Sequence, residues 1–225
     1  MRLALWEVDA QIDFMLPGGK LYVPGAEKII PNINRLVDQA RQGSVLLISS
    51  ADAHQPDDPE FQQWPLHCVK GTPGAEVIPE ARAAELLVIP NQRDFAFPSD
   101  LSACQQILLE KNTLDVFDNP NTERLLTELS SSKESNAQRG FHFLVFGVVT
   151  EYCVLRAADG LLRRGHRLSI VEDAVQSLHD KKGREILDDL QLRGAKLVTT
   201  AQALALIASD VTRDAQGRLQ KTAGN

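Results

Sequence analysis

Six short apolar runs punctuate the chain: Leu3 to Val8, Val45 to Ile48, Ile107 to Leu109, Phe143 to Val149, Leu168 to Val171 and Lys196 to Val198. Their apolar character is continuous instead of alternating, as it is in strands buried on both faces. Between them, Ala26 to Gln42, Thr122 to Leu129, Val154 to Arg164, Lys181 to Arg193 and Ala201 to Ala208 carry apolar residues at helical spacing. Gly43, Gly165 and Gly194 stand just before the next run, where helix-stopping residues belong. Strand alternating with helix predicts a single-domain three-layer α/β/α sandwich around a central, mainly parallel sheet of the Rossmann-like class. Residues 1–208 read as one domain without internal repeat or linker. The polar run Ser130 to Gly140 reads as a surface loop, and the polar tail 209–225 as a segment that frays or reaches a neighbouring subunit.

Composition narrows the function. With 225 residues, 43% hydrophobic and 24% charged, the chain can bury a substantial core. A formal net charge of -6 offers no basic surface for phosphates, so a small-molecule substrate is expected and nucleic acid is not. No stretch approaches the roughly 18 apolar residues of a membrane span, and Glu7 and Asp9 interrupt the first run where a signal peptide would be apolar. The expectation is a cytoplasmic protein without a membrane partner. Cys68, Cys104 and Cys153 are odd in number and lack paired spacing, which points to free thiols or metal ligands and not to disulfides.

In such a sheet, ligands collect at the carboxyl ends of the strands. The first run is followed by Asp9, either a cap or turn residue or a catalytic carboxylate. The second leads into Asp52-Ala53-His54, whose carboxylate and imidazole, two residues apart on extended chain, face the same way and suit one cation. His67, in Trp64-Pro65-Leu66-His67-Cys68, adds a second imidazole; two histidines and a carboxylate are a common zinc or iron set with open positions. Lys111 closes another strand, either solvated or beside Asp9, where it would keep that carboxylate ionised. Cys153 stands where a helical pattern begins, either as a small buried residue or as a thiol whose pKa the helix N-terminus lowers. His142, His166 and His179 read as surface or capping residues, and Cys68 and Cys104 as bystanders.

Taken together, Val8-Asp9-Ala10-Gln11-Ile12-Asp13-Phe14, Asp52-Ala53-His54, the segment Trp64 to Glu76, Lys111 and Gly147-Val148-Val149-Thr150-Glu151-Tyr152-Cys153-Val154 resemble the isochorismatase-like cysteine hydrolase superfamily, most closely its nicotinamidase branch. The motifs follow the family's order from residue 8 to about residue 175. The resemblance implies an isochorismatase-like fold, a triad of Asp9, Lys111 and Cys153, and a divalent metal, zinc first with Fe2+ or Mn2+ as alternatives, held by Asp52, His54 and His67. It also implies a cis peptide bond between Val148 and Val149, an oxyanion hole from the Val149 and Cys153 N–H groups, and assembly as a dimer or tetramer. Phe14 and Trp64 line the pocket or belong to the core. The implied activity is hydrolysis of nicotinamide, or a similar small amide, to the acid and ammonia through a thioester.

The alternatives are another small amide or carbamoyl compound on the same triad, or a non-catalytic metal-binding member of the fold. Two departures from the family pattern bear on this. Asn112 to Phe117 replaces the serine- and aromatic-rich segment usual after the lysine, and Asp57, Asp58 and Glu60 stand where many relatives have a further histidine. Glu60 or Asp58 completes the metal shell, or both are solvated loop charges.

Overall fold

The computed structural model describes residues 2–131 and 140–222, the last nine of these as backbone only. Seven parallel strands form one sheet: β1 (Arg2–Val8), β2 (Leu46–Asp52), β3 (Leu86–Ile89), β4 (Gln106–Lys111), β5 (Phe141–Val148), β6 (Arg167–Gln176) and β7 (Lys196–Val198), in the spatial order β3-β4-β2-β1-β5-β6-β7. Besides the four-residue α1 (Ile12–Met15), the α-helices are α2 (Ile30–Arg41), α3 (Thr122–Ser131), α4 (Leu155–Arg163), α5 (Asp180–Leu192) and α6 (Thr200–Thr222).

The alternation of side chains along each strand divides the core in two. From β1, Ala4, Trp6 and Val8 enter one apolar layer with Leu125 of α3, Ala157 and Leu161 of α4 and Leu190 of α5. Leu3 and Leu5 enter the other, with Ile33, Leu36 and Val37 of α2 and Ala203 and Ile207 of α6. The three-layer architecture expected from the run pattern is therefore the one observed. After β1 the chain builds outward through β2 and then crosses back to β5 on the other side of β1. This reversal opens a crevice at the carboxyl ends of the central strands.

The structure corrects several expected boundaries. β3 was not among the predicted strands; it is a four-residue edge strand with one buried position. β2 runs on from Ile48 to Asp52 because Ser49 and Ser50 are buried with hydrogen-bond partners, Gln106 and Asp9 respectively. β6 continues to Gln176 past the exposed Glu172 and Asp173. Ala26–Lys28 forms a separate 3-10 turn ahead of α2. α6 continues beyond Ala208 to Thr222, so the polar stretch from Ser209 begins inside a helix. Of the expected loop Ser130 to Gly140, Ser130 and Ser131 belong to α3, and 132–139 lie outside the described residues.

Candidate active site

The ends of β1, β2, β4 and β5 meet at the crevice, with Asp9 following β1, Asp52 and Lys111 closing β2 and β4, and Cys153 five residues after β5. Asp9 follows β1 with φ of +53°, a left-handed conformation that Asp tolerates better than most residues. Its N–H donates to the Ser50 carbonyl and its Oδ1 accepts from the Ser50 hydroxyl at 2.7 Å. Lys111 is the last residue of β4, paired in register with Asp52, the last of β2. Its ammonium lies 2.9 Å from Asp9 Oδ2 and 3.6 Å from Cys153 Sγ, and is hydrogen-bonded to Asp52 Oδ1. Cys153 sits in a single π-helical turn, Thr150–Val154, that joins β5 to α4. The Val148–Val149 peptide just before that turn is cis. Asp9, Lys111 and Cys153, expected together, are together and almost wholly buried.

Electrostatics follow from that burial. Loss of water opposes charge on Lys111, but Asp52, Asp9 and Cys153 outweigh it and hold the ammonium well above its ordinary pKa. Burial likewise opposes ionisation of Asp52, yet Lys111 and the two imidazoles keep its carboxyl far below the usual carboxylate range. For Asp9 burial prevails over Lys111, and its pKa is raised. Burial also pushes the Cys153 thiol well up, with Lys111 opposing. The expected lowering of the Cys153 pKa by a helix N-terminus is thus not observed. The resting arrangement is a neutral thiol beside an ammonium and a carboxyl with raised proton affinity, suited to moving a proton from sulfur to Asp9 as the sulfur reacts.

A second cluster shares Asp52. Asp52, His54 and His67 are all buried, with one potential ligand atom each lying mutually within 4.8 Å. His54 Nε2 and His67 Nε2 both lie 3.7 Å from Asp52 Oδ2, so one oxygen of this carboxylate faces Lys111 and the other faces the imidazoles. His67 Nδ1 is 2.7 Å from the Pro65 carbonyl, which leaves its Nε2 as the free ligand atom. His54 Nδ1 lies 3.2 Å from Asp58 Oδ2, an ion-pair distance without hydrogen-bond alignment, and its buried Nε2 has no protein hydrogen-bond partner. An orphaned imidazole nitrogen converging with another on one carboxylate oxygen fits a divalent metal. Asp58 is therefore held against His54 instead of being a solvated loop charge, Glu60 is half-buried and lines the pocket, and Asp57 is exposed.

Both clusters open into one cleft lined by Phe14, Glu60, Trp64, Leu114, Tyr152 and Cys153 among others, with at most about 470 Å³ of space including its mouth. Phe14 lies against His67 with ring centroids 5.4 Å apart, and Trp64 against Tyr152 at the same separation. His142 and His166 are half-buried, away from the cleft: His142 Nε2 is 2.8 Å from Ser169 Oγ and His166 packs edge-on to Phe143. His179 caps α5. Cys68 is buried with burial raising its thiol pKa, and Cys104 is half-buried.

Sequence reasoning missed the residues that hold these groups in place. Gln11 grips the Asp52 backbone from both sides, its Oε1 accepting from the Asp52 N–H at 2.7 Å and its Nε2 donating to the Asp52 carbonyl at 2.8 Å. Asp13 accepts from the Cys68 N–H at 2.7 Å and from the Lys20 N–H at 2.9 Å, fixing the loop that carries His67. Glu151 accepts from the N–H groups of Leu178 and His179, tying the start of α5 to the cysteine turn. The one available signal was polarity directly beside a buried strand end.

Comparison with known proteins agrees with this fold. The sequence model of the isochorismatase domain matches residues 4–202. The nicotinamidase of Escherichia coli (strain K12) is 23% identical over 220 residues, spanning 88% of this chain and 95% of that protein. The zinc-containing structure of the pyrazinamidase of Pyrococcus horikoshii is 26% identical with a TM-score of 0.68, covering 88% of this chain and 99% of its own. The structure of N-carbamoylsarcosine amidase from Thermoplasma acidophilum is 25% identical with a TM-score of 0.68, covering 89% and 97%.

Proposed function

The chain belongs to the isochorismatase domain family, and on that premise we propose that it is a metal-containing cysteine amidohydrolase that converts nicotinamide, or a similar small amide, to the acid and ammonia. The observation that carries this reading is the buried Lys111 ammonium lying between Asp9, Asp52 and the Cys153 sulfur, three groups that line one small cleft. Asp9 takes the proton of the Cys153 thiol as the sulfur attacks the amide carbon, and Lys111 offsets the charge on the sulfur. The carbonyl oxygen becomes an oxyanion, for which the Val149 and Cys153 N–H groups are the assigned donors. Asp9 then gives its proton to the nitrogen as the C–N bond breaks, releasing ammonia and leaving a thioester. Asp9 next takes a proton from water; the hydroxide adds to the thioester carbon, and the sulfur leaves and recovers that proton as the thiol.

Asp52, His54 and His67 would hold the divalent metal, with Glu60 as a further candidate ligand and zinc as the first choice. Such a metal supplies a Lewis-acidic anchor for a ring nitrogen and so orients the amide. Phe14 and Trp64 supply flat apolar walls. A second reading, a different small amide or carbamoyl substrate, is favoured by Leu114, which replaces the family's polar and aromatic wall in the cleft lining.

The decisive experiment measures ammonia release from nicotinamide, pyrazinamide and simple carbamoyl compounds by the wild type and by Cys153→Ala. Release from nicotinamide by the wild type alone is the expected result. Activity restricted to carbamoyl compounds transfers the assignment to the second reading, and no release from any substrate refutes both.

A further inference from the structure

Glu7 interrupts the buried apolar stretch of β1 one residue before the strand ends and is 0% exposed. Its register neighbours are Ser49 on β2 and Phe146 on β5. A carboxyl group placed there loses its hydration, so its retention calls for a partner that needs it. That partner is the backbone of the next turn: Glu7 Oε1 accepts from the Ala10 N–H at 2.6 Å, while Oε2 has no hydrogen-bond partner among the described residues. Ala10 directly follows Asp9, whose φ is +53°. The peptide units around Asp9 are thus held in sequence, the Asp9 N–H by the Ser50 carbonyl and the Ala10 N–H by Glu7. Behind Glu7 a polar row crosses the same sheet layer. The Ser49 hydroxyl interacts with Glu7 and accepts from Gln106 Nε2 at 2.8 Å, and Gln106 in turn accepts from the Ala83 N–H.

We propose that Glu7 is a positioning residue: its carboxyl captures the Ala10 N–H, maintains the left-handed turn at Asp9, and thereby aims the Asp9 carboxylate at Lys111 and Cys153. The proposal rests on the reading of Asp9 as the proton acceptor. Burial pushes the Glu7 pKa up to about 8, with Asp9 as the charged group it faces, so at neutral pH it holds the turn without adding a second charge beside Asp9. Its neighbours on β2 and β5, Ser49 and Phe146, are uncharged. A glutamine can accept the same hydrogen bond; a leucine cannot.

The test compares Glu7→Leu and Glu7→Gln by kcat and KM for the amide, and by the rate at which iodoacetamide alkylates Cys153, read by peptide mass spectrometry. Glu7→Leu is expected to lower kcat by about tenfold to a hundredfold with little change in KM, since a misplaced proton acceptor costs on that scale. Alkylation of Cys153 should slow in parallel, and Glu7→Gln should restore both. Wild-type kcat and alkylation in Glu7→Leu, or equal impairment of the two variants, overturns the proposal. If Glu7→Leu does not fold, Glu7→Gln decides it: hydrogen-exchange protection of the Ala10 amide is expected to persist, and its loss overturns the proposal. Alkylation needs no substrate, so an absence of amide hydrolysis combined with the expected alkylation pattern would refute the amidase reading while supporting the turn assignment.

Discussion

At the scale of single residues, one carboxylate joins two kinds of chemistry. Asp52 offers Oδ1 to Lys111 and Oδ2 to the two imidazoles, so neither cluster is independent of the other. Cys153→Ala should reduce turnover by three orders of magnitude or more, about the cost of removing a nucleophile, with an unchanged far-ultraviolet circular dichroism spectrum. Retention of more than about a hundredth of wild-type activity would sink the nucleophile assignment. His67→Ala should lower metal content measured by mass spectrometry of the purified protein. Asp58→Asn, which removes the charge beside His54 Nδ1, should weaken metal affinity by about tenfold to a hundredfold without abolishing binding. Full metal affinity in Asp58→Asn would mean that Asp58 does not orient His54. The proposed ligating and catalytic residues were legible because each lies at a strand end or in a dense motif. Gln11, Asp13 and Glu151 were not, because nothing local marks the site backbone they hold: Asp52, Cys68 and Leu178 lie 41, 55 and 27 residues away from them respectively.

At the scale of elements, the site depends on where strands stop and how the chain turns afterwards. Gly147, near the end of β5, has φ of +119°, and a Cβ there would collide with the carbonyl of Val8 on β1. Gly147→Ala should therefore destabilise the protein by about 2 kcal/mol or more and distort the strand end that leads to Val149 and Cys153, read as a lower thermal midpoint and a loss of kcat. An unaltered midpoint would show that β1 and β5 can separate at no cost. Apolar runs located six of the seven strands because continuous burial leaves a plain sequence signal. They did not locate β3, a four-residue edge strand with one buried position, nor the last four residues of β2, where hydrogen bonds replace apolar burial. The turn after β5 was likewise read as a helix start, whereas a π-helical turn intervenes and buries the thiol.

At the scale of the whole molecule, two buried acids set opposite pH dependences. Asp52 has its folded pKa depressed below the ordinary 3.8, so its contribution is present above about pH 4 and is lost as the pH falls below that value. Glu7 has its folded pKa raised from 4.5 to about 8, so its contribution is full below pH 4.5 and declines as the pH rises toward 8. Urea unfolding of wild type and Glu7→Gln at pH 5 and pH 8 should therefore show the variant gaining stability relative to the wild type at the higher pH. A difference between the proteins that does not change with pH would contradict the burial-raised pKa of Glu7.

The class of fold, and the candidacy of Asp9, Lys111 and Cys153 for a triad and of Asp52, His54 and His67 for a metal set, were legible along the chain, because buried strands and clustered motifs are local patterns. Only the tertiary structure decided the strand order, the sharing of Asp52 between Lys111 and two histidines, and the raised pKa of the Cys153 thiol. Each of these depends on distances between segments far apart in sequence and on the exclusion of water. Neither exists until the sheet has closed around β1 and the helices have covered it.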